Sequence, residues 1–133
     1  MYRRQALIGW EPLGSCSCWH GVTSVVMVNC GFALAPCQPD QREWIARCLE
    51  AVEDIPTESM IAGINWTWES FPEYLEAVGK LPKAINYGAF LGHSALRMYI
   101  MGDRALYELG SEEALQRMGG LVADALNLSF IHI

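Results

Sequence analysis

Eight consecutive uncharged residues, Gly21-Val22-Thr23-Ser24-Val25-Val26-Met27-Val28, constrain this chain more than any other stretch. The run is rich in β-branched side chains and lacks polar alternation, the pattern of a strand buried on both faces of a parallel sheet. It stops at Asn29-Cys30-Gly31, and Pro36 and Pro39 mark the loop that follows. A second strand is expected at Ala84–Leu91, running into Gly92-His93. Between and after the strands the period changes to helical. Trp44, Ile45, Cys48, Leu49 and Val52 recur at helical spacing behind Asp40 and Glu43, read as a capping-box pair. Ser70 and Glu73 open another helix, with Pro72 in its first turn, burying Phe71, Tyr74, Leu75 and Val78. A short helix is expected at Ala95–Met101. A longer one, capped by Ser111, runs to about Leu126 with Leu115, Met118, Val122, Ala125 and Leu126 on one face. Residues 1–20 and 56–69 read as irregular, the latter as an aromatic loop with Trp66 and Trp68 flanking Thr67.

Strand, helices, strand, helices is a βαβα order and implies an α/β fold with a parallel sheet and helical crossovers. At 133 residues one domain is expected. Two strands do not close a barrel, and a complete (β/α)8 barrel takes roughly 250 residues. The architecture therefore reads as incomplete. The hydrophobic fraction of 52% and charged fraction of only 18% leave two explanations open: apolar surface awaiting a partner, or a compact domain with a well-buried sheet.

Charge and composition exclude several classes. A net charge of -6 with few, scattered Lys and Arg argues against nucleic acid. No apolar run approaches the ~18 residues of a membrane span. Met1-Tyr2-Arg3-Arg4 lacks the apolar core of a signal peptide, so the cytoplasm is the expected location. Five cysteines without a Cys-x-x-Cys pair read as reduced thiols rather than a disulfide framework.

Ligands of parallel α/β folds gather at the carboxyl ends of strands. Both expected ends carry a reactive side chain here, Cys30 after the first and His93 after the second. A thiolate and an imidazole suit zinc. Spacing alone leaves that reading beside a plainer one, in which Cys30 is a buried core thiol and His93 a hydrogen-bonded structural residue. Cys16-x-Cys18-x-His20 reads as a loop before it reads as a metal tract, since zinc needs at least three protein ligands. The five tryptophans read as packing, and Glu11, Glu50, Glu53 and Asp54 as a solvated face.

Three ordered blocks carry a resemblance. Gly21–Pro36 is similar to the GVTTVV strand, GNCG turn and nearby Ala-Pro of the D-aminoacylase branch of the amidohydrolase superfamily. Trp66-Thr67-Trp68-Glu69-Ser70-Phe71-Pro72-Glu73-Tyr74-Leu75 resembles its W-x-W-x-T/S-F-x-E-Y-L segment. Ile85-Asn86 through Gly92-His93 to Arg97, then Met101-Gly102, resembles its N…GH…R…MG block. The resemblance implies a partial TIM-like (β/α) barrel of about two βα units, over residues 1–127, from a zinc-dependent N-acyl-D-amino-acid deacylase. That activity releases a D-amino acid and a carboxylate. Cys30 is the implied metal ligand, and His93 and Arg97 are implied substrate contacts; no catalytic residue is assigned. Arg97 suits a substrate carboxylate.

Departures from the family matter equally. The H-x-H metal pair, the downstream histidines and the late aspartate have no counterpart, because His20, His93 and His132 are the only histidines. Val28 stands where the family usually has Gly, a change that either crowds the turn or is neutral. Residues 128–133 fit no family pattern, and His132 is not read as a ligand. The chain is accordingly expected to be inactive alone. A small non-catalytic α/β binding or oligomerisation module is the alternative, and a thiol enzyme using Cys30 with His93 is a third.

Overall fold

The computed structural model describes residues 6–28 and 30–128; residues 1–5, Asn29 and the tail residues 129–133 with His132 lie outside the described residues. The fold is mixed α/β. Strands β1 (Ser24–Met27) and β2 (Asn86–Ala89) form a two-stranded parallel sheet, with Ser24 opposite Asn86 and Met27 opposite Ala89. Helices α1 (Ser15–Cys18), α2 (Arg42–Glu53), α3 (Thr57–Gly63), α4 (Phe71–Gly79), α5 (His93–Met101) and α6 (Glu112–Asn127) complete the regular structure, with short 3-10 turns at Leu7–Gly9, Pro39–Gln41 and Gly102–Leu106. None of the described helices is long and apolar enough to cross a membrane.

The βαβα order expected from the pattern is present, but both strands are half the length of the runs that suggested them. β1 also departs from burial on both faces. Val25 and Met27 point into the core while Ser24 and Val26 on the opposite face are exposed. Helices cover one side of the pair only, so the period-2 alternation of a strand becomes visible in burial rather than in sequence.

One main core lies under that covered face. Met27 of β1 meets α4 through Tyr74, whose hydroxyl donates to the Met27 Sδ at 3.9 Å. Ile45 and Leu49 of α2 and Met60 of α3 are fully enclosed there. The aromatic loop closes it from one end. Trp68 donates its Nε1–H to the Leu34 carbonyl at 2.9 Å, and its ring meets Tyr74 edge-on with centroids 5.0 Å apart. Trp68 thus fastens the residues after β1 to the start of α4, the packing use expected of it. Trp10 and Trp19, by contrast, stand exposed.

Local capping agrees with the sequence at two helices and differs at one. Ser70 and Glu73 form the expected capping box at α4, where the amides of Ser70 and Glu69 hold the Glu73 carboxyl below its usual range. Ser111 accepts from Ala114 N at α6. The pair expected at Asp40 and Glu43 sits elsewhere: Gln38 and Gln41 form the box around the Pro39–Gln41 turn that leads into α2. α3 lies inside the segment expected to be loop, and only Met60 of its residues is buried. On α6, Met118 and Ala125 are buried while Leu115, Val122 and Leu126 remain exposed, so only part of the expected face is packed. The supposed solvated acidic face is partly structural as well. Glu11 accepts from the Ser15 amide and hydroxyl, Glu50 from Thr57 Oγ1 and Glu53 from the Ala6 amide.

All described cysteines are free: Cys37 is buried, Cys18 and Cys48 half-buried, Cys16 and Cys30 exposed. Burial pushes the Cys37 thiol up from 9.0 to about 12, with the Arg42 guanidinium pulling weakly the other way. The folded thiol keeps its proton where the unfolded one releases it, so this contribution is complete below pH 9.0 and is lost as the pH climbs toward about 12. Urea denaturation is expected to show a lower midpoint at about pH 10 than at neutrality, and Cys37→Ala to weaken that decline. A decline of the same size in the variant would show that Cys37 is not its source.

Candidate functional site

The carboxyl ends of the two strands come together, and the backbone shows how. Past β1, Val28 turns the chain with φ 72° and Gly31 with φ 85°, both left-handed. Past β2, the Phe90 amide still donates to the Met27 carbonyl at 3.1 Å, carrying the parallel pairing one residue beyond the strand. Gly92 then passes so close to the first turn that a Cβ there would lie 2.7 Å from Gly31 O and 2.5 Å from Ala33 Cβ. The Ser94 amide donates to Gly31 O at 3.1 Å. The residue after Cys30 is therefore stitched to the residue after His93, and the two turns that carry these side chains are neighbours.

Cys30 and His93 are both exposed. The plainer reading of Cys30 as a buried core thiol does not hold, since the turn lifts it out of the core that encloses Val28 and Ala33. His93 opens α5, and Arg97 follows one helical turn later on the same face. Arg97 is half-buried, and its Nη2 donates to the carbonyls of Ala105 at 2.9 Å and Glu108 at 2.8 Å, which ties α5 to the 3-10 turn after it. His93 and Arg97 share a groove of about 320 Å³ between α2, α5 and that turn, with Phe32, Trp44 and Cys48 in its wall. Cys30 is outside the groove's lining.

Trp44 and Cys48 are the residues whose position the sequence did not disclose. Their spacing on α2 is the same i, i+4 step as that of core residues Ile45 and Leu49, and all four were expected on the buried face. In three dimensions the pair flanks the core rather than filling it. Burial still raises the Cys48 thiol above its ordinary value.

The chain resembles several curated proteins. It is 32% identical over 107 residues to the D-aminoacylase of Alcaligenes xylosoxydans xylosoxydans, an alignment covering 80% of this chain and 19% of that enzyme. The N-acyl-D-aspartate deacylase of the same organism is 31% identical over 98 residues, covering 74% of this chain and 18% of the relative. An uncharacterized protein of Mycobacterium tuberculosis is 32% identical over 117 residues, 84% of this chain and 19% of its own length. The chain thus spans about a fifth of the length of the curated relatives it matches. No family model matches it, and no solved structure does. The similarity to two deacylases points to hydrolase ancestry for this stretch of sequence.

Zinc is the cofactor implied by the family resemblance, and the donor set can be tested against it. A catalytic zinc takes three protein ligands and keeps one open position. Among the described residues no group of three or more His, Cys, Asp or Glu side chains is placed to hold a metal. Cys16, Cys18 and His20 do not assemble one: Cys18 Sγ turns to the Ser15 carbonyl, and His20 Nδ1 lies 2.7 Å from the Cys16 carbonyl. One thiol and one imidazole at the strand ends fall short of the requirement, so the described residues do not by themselves fit a zinc ion.

Proposed function

We propose that this chain is a segment of a metal-dependent hydrolase that cleaves the amide of N-acyl-D-amino acids, and that it contributes about two βα units to a TIM-like barrel. The observation that carries this reading is the stitched pair of strand ends. Parallel pairing and the Ser94 amide on Gly31 O bring the turn that carries Cys30 next to the turn that carries His93, at the carboxyl ends of the strands, and such folds do their chemistry at that end. The deacylase relatives support it. So does the sheet face left open, where Val26 is 42% exposed on the side opposite Val25 and Met27. An apolar residue in that position is suited to the interior of a larger sheet.

In this reading Cys30 is one metal ligand among several, the rest coming from other strands of the parent enzyme. A zinc ion held by Cys30 together with ligands from other segments of the parent enzyme would supply Lewis-acid chemistry. His93 and Arg97 contact the substrate, Arg97 through its guanidinium and His93 through a ring nitrogen. Because its own ligand set is short, the isolated chain is expected to show no turnover of N-acetyl-D-amino acids with added zinc. Clear turnover would sink the requirement for further ligands.

A chimera tests the positive half. Replacing the matching segment of the Alcaligenes D-aminoacylase with this chain is expected to keep bound zinc and deacylase activity. Cys30→Ser within that chimera is expected to cost at least about a hundredfold in activity and to lower the metal content. An active chimera indifferent to Cys30→Ser would remove Cys30 from the site.

A further inference from the structure

α6 carries two apolar stripes, and the described fold uses one of them. At about 100° per residue, Ala114, Met118, Leu121 and Ala125 share one side of the helix. Met118 packs there with Leu96 and Met101 of α5 in a small cluster of its own. Leu115, Gly119, Val122 and Leu126 make the second stripe, about a quarter-turn round the helix, and all four are exposed. Successive members stand four, three and four residues apart, the d-a-d-a step of a coiled-coil seam. That spacing reads the same from either end.

Gly119 is the member that the helix does not need. It sits inside 16 residues of helix, where glycine lowers stability relative to alanine. Its φ is not positive, and a Cβ there would meet no described atom within 4 Å. A gap in an exposed apolar stripe is useful only to something that enters it from outside. We propose that α6 is a self-association surface, on which a second copy of this chain lays its own α6 antiparallel. A two-fold axis through the middle of the stripe sets Leu115 opposite Leu126 of the second copy and Gly119 opposite its Val122. The valine then fills the gap that the glycine leaves, twice over, and the isologous contact closes as a dimer. A parallel pair would face Gly119 with Gly119, leave the gap empty and bring Glu112 against Glu112.

Charge and area agree with this occupant. Glu113, Arg117 and Asp124 lie on the far side of the helix, and Gln116, Ala123 and Asn127 flank the stripe, so no like charges meet along the antiparallel seam. Gly110 lies against Leu115, where a Cβ would be 3.4 Å from Leu115 Cδ2, and this sets the almost fully exposed Leu109 at one end of the stripe. Leu109, Leu115, Val122 and Leu126 together expose apolar surface on the order of 400 Å², a patch of the size that marks contact sites. With the polar flank added, the contact reaches ~600 Å² per copy, at the small end of specific interfaces. A weak dimer follows, and it stands or falls separately from the deacylase reading.

Sedimentation equilibrium of the whole chain tests this, under reducing conditions because Cys16 and Cys30 are exposed. A monomer–dimer equilibrium is expected, with Kd on the order of 10 µM. Val122→Arg puts a charge in the seam at a position already exposed, and it is expected to raise Kd at least about tenfold. Gln116→Arg, one side step away on the same helix, is expected to change Kd less than about twofold. Gly119→Leu is the sharpest arm. It improves the helix and adds apolar surface, so thermal unfolding of the dilute chain is expected at a higher temperature. It also fills the gap, so Kd is expected to rise about tenfold or more. A merely sticky face would associate more tightly with that leucine, and such a result overturns the proposal. So does a monomer at all concentrations to about 200 µM, or a dimer indifferent to Val122→Arg. Association abolished by Val26→Arg instead would assign the contact to the open sheet face and reject α6. Orientation is read by mixing Leu115→Cys with Leu126→Cys chains under mild oxidation. A disulfide between positions 115 and 126 is expected, and a pair of like positions would refute the antiparallel arrangement.

Discussion

Gly92→Ala is expected to lower stability by about 3 kcal/mol and to pull the two strand-end turns apart. A Cβ at this position would lie 2.5 Å from Ala33 Cβ, 2.7 Å from Gly31 O and 3.1 Å from Val28 Cγ1. Only one of these three neighbours, Val28 Cγ1, is the tip of a side chain that can turn aside; Gly31 O is backbone, and Ala33 Cβ moves only with its backbone. Gly92 has an ordinary extended conformation with φ -76°, so the requirement is space and not backbone freedom. Relief can come only by moving the Cys30 turn away, which breaks the Ser94 N–Gly31 O hydrogen bond. Adding Ala33→Gly removes the shortest contact but leaves Gly31 O in place, and it is expected to restore only part of the loss. Urea denaturation of both variants measures this, with the Cys30 alkylation rate as a local reporter of the turn. A loss under about 0.5 kcal/mol would mean that the turns adjust freely and that their close approach does not hold the site together.

This contact explains why the site was half legible. Cys30 and His93 could be placed at strand ends from the two apolar runs and the residues that stop them, because strand termination is a local property. Their adjacency depends on parallel register, and register follows from how the crossover packs. Ser70 and Ser111 were readable as caps for the same local reason: a hydroxyl accepting an amide three residues on needs nothing from the rest of the fold. The pair at Asp40 and Glu43 failed because Gln38, beside Pro39, takes that role two residues earlier. α3 was illegible since a seven-residue helix with one buried side chain leaves almost no periodic trace. The groove was hidden by a further ambiguity. Trp44 and Cys48 share the helical spacing of the core residues, and only the 3-10 turn carrying Ala105 and Leu106, far off in sequence, makes their edge of α2 into a wall. Val26 is the converse case. Its run reads as buried on both faces, and the described sheet covers one.

The remaining large effect is expected at Val28, where glycine should be the better replacement and alanine the worse. Val28 holds φ 72° at the end of β1, a conformation that costs an L-residue roughly 1–2 kcal/mol and a β-branched one more. Its side chain nonetheless is only 4% exposed and reaches the space beside Gly92. Two opposing terms therefore meet at one residue. Val28→Ala loses buried methyl groups, about 2 kcal/mol, and keeps the left-handed strain of any residue with a Cβ. Val28→Gly loses slightly more packing but releases that strain, and it restores the residue usual in the family that this segment resembles. The glycine variant is expected to exceed the alanine variant in stability by about 1 kcal/mol, the reverse of the ordinary order in regular structure, where glycine is the weaker by roughly 0.5–1 kcal/mol. Denaturant midpoints of the two variants at equal slope decide it. Alanine equal to or above glycine would show that the turn is not held left-handed in solution. That outcome would remove the geometric basis for setting Cys30 beside His93, and the expected cost of Gly92→Ala would have to fall with it, because both depend on the same approach of the two strand ends.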